Sequence, residues 1–167
     1  MTICFFVNMP DLLWMIGLAF SNEQIMLPVG IVYGFIEGLH RKQWKPILWF
    51  IGLLIASAVI SEVLKFIFKV PLIFDPKRYG FPSGHTQFAA VFYGWICYQF
   101  AVHASFYVRI VSIVLTLGIL AFTVTTIVHY GYHTWFDIMG GFVSGGLLLF
   151  LGVKGMRVLT LSKPKTL

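Results

Sequence analysis

Acidic residues are scarce in this 167-residue chain: six Asp and Glu stand against twelve Lys and Arg, and only 11% of the side chains are charged. Soluble domains carry about 25%. The shortage of charge accompanies 59% apolar residues, 17% aromatics and a mean hydropathy of +0.88. A soluble domain of about 150 residues still exposes roughly a third of its unfolded-chain area, and so little polar surface cannot cover it. A cytosolic enzyme, a disordered chain and a nucleic-acid-binding module are excluded. An integral membrane protein remains. Cysteine is scarce too: Cys4 and Cys97 make no framework, and Cys97 lies inside an apolar run, so no disulfide is expected. No Lys or Arg precedes Arg41, and no small-residue cleavage site follows the first apolar run, so a cleaved signal is not expected.

What the chain has is apolar runs. Residues 3–20, interrupted by Asn8, Pro10 and Asp11, are either a short first span or an interfacial helix. The run from Gln24 to Leu39 is short for a span of ~20 residues and kinkable at Pro28. Pro46 opens a helix to Phe68, and further spans are expected over 83–103, 107–129 and Trp135–Val158. Between Val70 and Pro82, Pro71, Pro76, Asp75, Lys77 and Arg78 read as a loop. The expected fold is all-α: one polytopic membrane helical bundle of five to six transmembrane helices over 1–167, without a repeat or a soluble domain.

Orientation follows from the cations. Arg41, Lys42, Lys45, Arg109, Lys154, Arg157, Lys163 and Lys165 fall at one set of loop ends; Lys65, Lys69, Lys77 and Arg78 fall at the other. The larger set is assigned to the cytoplasm. His85, His129 and His133 then lie outside with the smaller set, while His40 and His103 are interface residues at cytoplasmic span ends. Ionisable groups near a membrane are costly and are functional candidates by default, so the outer group reads as an anion site at the height of lipid headgroups. The net charge of +6 is read as bilayer orientation and contact with anionic lipid, not as a nucleic-acid footprint.

Two local patterns sharpen this. In Phe81-Pro82-Ser83-Gly84-His85, Pro82 is expected to open the next helix. The first amides of that helix would then face an anion, with Gly84 allowing close approach, Ser83 adding a donor and His85 a proton. His133 and Asp137 stand four apart, one helical turn, so that Asp137 can hold one imidazole nitrogen and leave the other free as base or nucleophile. Lys65 points at the same layer, with Glu62 as its expected ion-pair partner. The glycines Gly140, Gly141, Gly145 and Gly146 read as close helix packing.

These residues resemble the membrane-bound type 2 phosphatidic acid phosphatase superfamily, over roughly residues 60–145. The resemblance rests on Pro-Ser-Gly-His at 82–85 and His-x-x-x-Asp at 133–137, within the span layout of the family's six-helix core. It implies a metal-independent phosphatase, or phosphotransferase, of a lipid phosphate or diphosphate, with no cofactor. His133 would be the nucleophile that becomes a phosphohistidine, Asp137 its supporting carboxylate and His85 the proton donor. Lys65, Ser83 and Gly84 would bind the phosphoryl oxygens. Both arginines of the family's phosphate clamp are missing: Leu72 and Ile73 stand where the first motif has Arg-Pro, and Thr126-Ile127 where the third has Ser-Arg. Lys69, Lys77, Arg78 and His129 are the candidate substitutes, although lysine lacks arginine's bidentate fork. Removing one preorganised donor costs about 10²–10³ in rate.

The expected partners are a lipid phosphate and the membrane, in the inner membrane of a bacterium with the site facing the periplasm or exterior. Two rivals stand beside the enzyme: a catalytically weak relative that binds or moves a phosphorylated lipid, and an ion transporter using His129, His133 and Asp137 as a relay. Those three also have the spacing of metal ligands. No cysteine or further carboxylate accompanies them on the outer side, so no metal is expected.

Overall fold

The structure, a computed structural model, describes residues 9–20, 22–42, 44–72, 75–131 and 133–161. Among them are six helices: α1 (Met9–Ala19), α2 (Glu23–Arg41), α3 (Lys45–Phe68), α4 (Gly84–His103), α5 (Phe106–His129) and α6 (Trp135–Leu161). No strand occurs among the described residues, only an antiparallel bridge between Pro71 and Tyr79. The boundaries have local causes. Asn22 caps α2, its side chain accepting the Gln24 amide at 2.9 Å. Proline in the first turn opens α3, and Lys69 closes it in the left-handed conformation at φ 51°.

The sequence reading places α2 to α6 within a few residues of their observed ends. The doubtful first segment resolves into the 11-residue α1, about 16 Å long at 1.5 Å per residue. That length cannot cross a hydrocarbon core of roughly 30 Å by itself; residues 1–8 lie outside the described residues. Pro28 sits within α2 without ending it.

Stretches of α3, α5 and α6, each 24 residues long, are apolar enough to cross a membrane. The less apolar α4 is the buried one. Its residues from Thr86 to Tyr93, and Trp95, are enclosed by α6, α5, α3 and α2. A helix surrounded by protein can carry polar groups if they are paired, and α4 does. Buried Gln87 donates from Nε2 to the Ser57 carbonyl at 2.8 Å and accepts from Ser144 Oγ at 2.8 Å, joining α3, α4 and α6. Below it Phe50 stacks on Trp95, centroids 5.6 Å apart, within a core that includes Leu54, Phe88, Val91 and Phe92. The outward faces, with Phe106, Leu117 and Val143 exposed, are apolar surface for lipid to cover.

The packing of α4 on α6 is set by glycine. A Cβ at Gly141 would lie 2.6 Å from the Ser83 carbonyl oxygen, and one at Gly145 would lie 2.6 Å from that of Gln87. Gly140 accommodates the Phe81 ring, whereas a Cβ at Gly146 would meet nothing. Three of the four expected packing glycines therefore pack, and Gly146 faces open space. Gly145→Ala should lower the thermal midpoint in detergent, because overpacking against backbone costs about 1–3 kcal/mol. Gly146→Ala should leave the midpoint unchanged or raise it, since Ala is the better helix former by up to about 1 kcal/mol. A thermal melt of the two variants beside the parent checks both.

Candidate active site

The start of α4 forms one wall. Ser83 is its N-cap, with φ −66° and ψ 111°, and its Oγ accepts the Thr86 amide at 3.5 Å and the Thr86 hydroxyl at 3.1 Å. Pro82 thus stands one residue outside the helix, not at its first position, because Ser83 takes the capping role. The Ser83 side chain is wholly buried. Its amide donates to the Asp137 carbonyl at 2.9 Å, tying α4 to the first turn of α6.

The opposite wall carries His133. Gly131, at φ 66°, turns the chain after α5, and His133 precedes α6 instead of lying on it. The expected helical-turn relation between His133 and Asp137 is therefore replaced by a cap. Thr134 Oγ1 accepts the Asp137 amide at 3.1 Å, and Asp137 Oδ2 accepts the Thr134 amide at 2.8 Å, a reciprocal capping box. The same Oδ2 lies 3.7 Å from His133 Nδ1, close enough for charge but too long for a hydrogen bond. Both side chains are buried, and Nδ1 has no hydrogen-bond partner. The rings of His85 and His133 face each other with centroids 6.2 Å apart, inclined at 59°.

Between these walls lies a cavity of about 310 Å³ lined by Leu18, Asn22, Lys65, Leu72, Arg78, Tyr79, Gly84, His85, Ile127 and His133. Lys65 Nζ bonds Glu62 Oε1 at 2.6 Å, the pairing expected from their spacing. Arg78 reaches the wall because the loop folds back on itself. The Leu72 amide donates to the Arg78 carbonyl at 2.8 Å, and the Gly80 amide to that of Val70 at 2.8 Å. Of the four candidate substitutes only Arg78 lines the cavity. Lys69 Nζ lies 5.1 Å from the Phe66 ring centroid, Lys77 is exposed, and exposed His129 packs edge-on to Tyr130. Ser83 and Asp137 stand behind the wall, and His129 does not join His133 and Asp137 in a ligand set among the described residues. Leu72 and Ile127, which the resemblance sets against the family's two clamp arginines, both line the cavity.

Leu18, Asn22 and Tyr79 are cavity residues that sequence reasoning missed. Asn22 carried a signal only as a helix cap, and Tyr79 only as a neighbour of the Pro-Ser-Gly-His motif. Chemically, the cavity joins two permanent cations and a helix N-terminus, which attract an anion, to an imidazole kept neutral. Burial pushes His133 below its ordinary value of 6.5 and Lys65 pushes the same way; the Asp137 carboxylate and the Gly80 backbone oppose them.

Residues 46–160 match the family profile described as "PAP2 superfamily". The chain is 34% identical over 140 residues to phosphatidylglycerophosphatase B of Bacillus subtilis (strain 168), spanning 80% of this chain and 68% of that protein. It is 28% identical over 138 residues to dolichyldiphosphatase 1 of Homo sapiens, spanning 72% of this chain but only 57% of that protein. The fold is similar to the crystal structure of a transmembrane PAP2 type phosphatidylglycerolphosphate phosphatase from Bacillus subtilis. The TM-score is 0.78 with 22% identity, covering 96% of this chain and 82% of that chain.

Titration of the imidazole by NMR of histidine-labelled protein in detergent should place His133 below 6.5. Asp137→Asn removes the opposing carboxylate and should lower it further; Lys65→Ala removes a like charge and should raise it. An unshifted His133 in the parent would contradict this electrostatic picture.

Proposed function

The chain belongs to the PAP2 superfamily, and from that premise we propose that it hydrolyses a lipid phosphate or diphosphate through a phosphohistidine, without a metal. The observation that carries this reading is the convergence of His85 and His133 on one cavity with Lys65, Arg78 and the α4 N-terminus. Its relatives support the substrate class: one is named for phosphatidylglycerophosphate and another for dolichyl diphosphate, each a phosphorylated amphiphile. The whole chain acts as a single unit in the bilayer, so the lipid tail never has to leave it. The excess of cations at the other loop ends supports a site on the extracytoplasmic side, in the inner membrane of a bacterium.

In the proposed reaction Nε2 of neutral His133, the ring nitrogen other than the one beside Asp137, attacks phosphorus while the bond to the leaving oxygen breaks. His85, protonated as the phosphoryl dianion arrives beside it, gives that proton to the leaving oxygen and becomes neutral. Asp137 acts on His133 through charge and through the cap that fixes the backbone, so it is a positioning residue. Neutral His85 then takes a proton from water as the water oxygen attacks phosphorus. The P–N bond breaks, phosphate leaves, and both histidines regain their starting states. Lys65, Arg78 and the amides near Gly84 stabilise the phosphoryl oxygens. Ser83, buried as the cap, contributes by holding those amides in place.

A specific observation favours a second reading, a relative that binds a phosphorylated lipid with little turnover: Leu72 and Ile127 present hydrocarbon to the cavity. Phosphate release in liposomes separates the two. The panel holds phosphatidylglycerophosphate, undecaprenyl and dolichyl diphosphates, phosphatidic acid and a lipid A phosphate. The enzyme reading expects turnover of at least one of these, unaffected by EDTA and abolished by His133→Ala. Arg78→Leu should lower it about 10²–10³-fold, as for loss of one preorganised donor. Absence of release, at a protein concentration able to reveal a roughly 10⁵-fold impaired enzyme, would select the binding protein.

A further inference from the structure

Ser61 lies on α3 one turn before Lys65 and is 3% exposed, yet its hydroxyl has no hydrogen-bond partner. A serine inside a helix ordinarily bonds the carbonyl one turn back or turns to solvent; Ser61 does neither. The contrast with Ser57, one turn earlier, is direct: its carbonyl and hydroxyl both face the Gln87 amide, at 2.8 and 3.4 Å. An unpaired buried hydroxyl is costly, so the space it faces matters. A Cβ placed on Gly84 would lie 2.8 Å from Ser61 Oγ and 3.4 Å from Lys65 Nζ. The missing side chain at 84 therefore leaves a slot at the N-terminus of α4, into which a buried, unpartnered oxygen and an ammonium both point. Lys65 Nζ has three hydrogens to donate, and one is engaged by Glu62, whose side chain is 70% exposed.

We propose that Ser61 is a positioning residue of the anion site: its Oγ accepts a hydrogen bond from Lys65 Nζ and holds the ammonium beside Gly84 when a phosphoryl group replaces Glu62 as counter-ion. The inference rests on the reading of the cavity as a phosphate site. The i, i+4 relation of Ser61 and Lys65 puts them on one helix face, while Glu62 draws the ammonium toward solvent. With Lys65 gathered inward, the anion meets a fixed charge and not a mobile one, so less side-chain freedom is lost on binding.

The test is titration of the detergent-solubilised protein with inorganic phosphate, followed by the thermal midpoint, beside turnover in liposomes. Ser61→Ala should weaken apparent phosphate affinity roughly tenfold or more, the loss expected for one charge-assisted hydrogen bond. Its midpoint without phosphate should stay the same or rise, because an unpaired buried polar atom is gone. Ser61→Cys keeps a side chain of similar size with a weak sulfur acceptor, and should weaken phosphate binding in the same direction. Phosphate affinity within twofold of the parent in both variants would overturn the proposal and leave Ser61 a packing residue. So would a parent that phosphate does not stabilise at all. A parent that binds phosphate with this Ser61 dependence but releases none from any lipid would sink the enzyme reading while leaving the role of Ser61 intact.

Discussion

The hydrogen bond from the Ser83 amide to the Asp137 carbonyl, 2.9 Å long, is the constraint from which the site follows. It joins the N-terminal ends of α4 and α6, which are more than 50 residues apart in sequence. Close approach is possible only because Gly141 and Gly145 present no side chain to the α4 backbone. Once the ends are joined, two caps sit back to back: Ser83 on α4, and Thr134 with Asp137 on α6. Each cap fixes the backbone of a histidine next to it, and the two rings face each other as a consequence. The hydrogen-bonded ladder of Gln87 with Ser57 and Ser144 extends the same attachment down the bundle and brings in α3, which carries Lys65.

Much of this was legible in the sequence because it is written locally. The helices from α2 to α6 are apolar runs bounded by cap residues, prolines and charge, and their ends fall where those signals are. The pairing of Glu62 with Lys65 follows from a spacing of three within one helix. Asp137 was legible in identity but not in its mode of action. Four residues after His133 and three after Thr134 are both meaningful spacings, and only the point where α6 begins decides between a helical-turn contact and a capping box. Pro82 was misplaced as the opening residue for the same reason, because Ser83 takes the capping role and starts α4. Residues from distant segments left no trace: Leu18 carries no distinguishing chemistry, and Asn22 reads only as the cap it also is. Arg78 could not be separated from Lys77 or Lys69 without the bridge between Pro71 and Tyr79, which folds the loop so that Arg78 borders the cavity.

That loop bears on the missing arginines. Leu72 stands where the motif resemblance implies a guanidinium, and its amide is bonded to the Arg78 carbonyl across the fold of the loop. The two residues occupy neighbouring places on one cavity wall, so a charge absent from one strand of the loop is present on the other. Ile127 has no such neighbour on α5 among the cavity residues, and Leu18 of α1 is a further apolar residue of the cavity lining. The cavity therefore holds two permanent cations, Lys65 and Arg78, where the motif resemblance implies three.

Fewer cations change more than anion affinity. A phosphoryl dianion arriving beside His133 favours the protonated imidazole, as Asp137 already does, and a protonated His133 has no lone pair with which to attack. Burial and Lys65 hold the ring neutral in the empty site. In the occupied site the same lysine has to offset the charge of the ligand as well, and Arg78 is the other permanent cation lining the cavity available to share that load. The proposed chemistry thus places two demands on each cation: to bind the phosphoryl group, and to keep its charge from protonating the nucleophile. A lysine bonded to Glu62 already helps to keep the empty-site ring neutral but is drawn away from an incoming phosphoryl group, so in the proposed chemistry the position of the Lys65 ammonium matters as much as the number of positive charges.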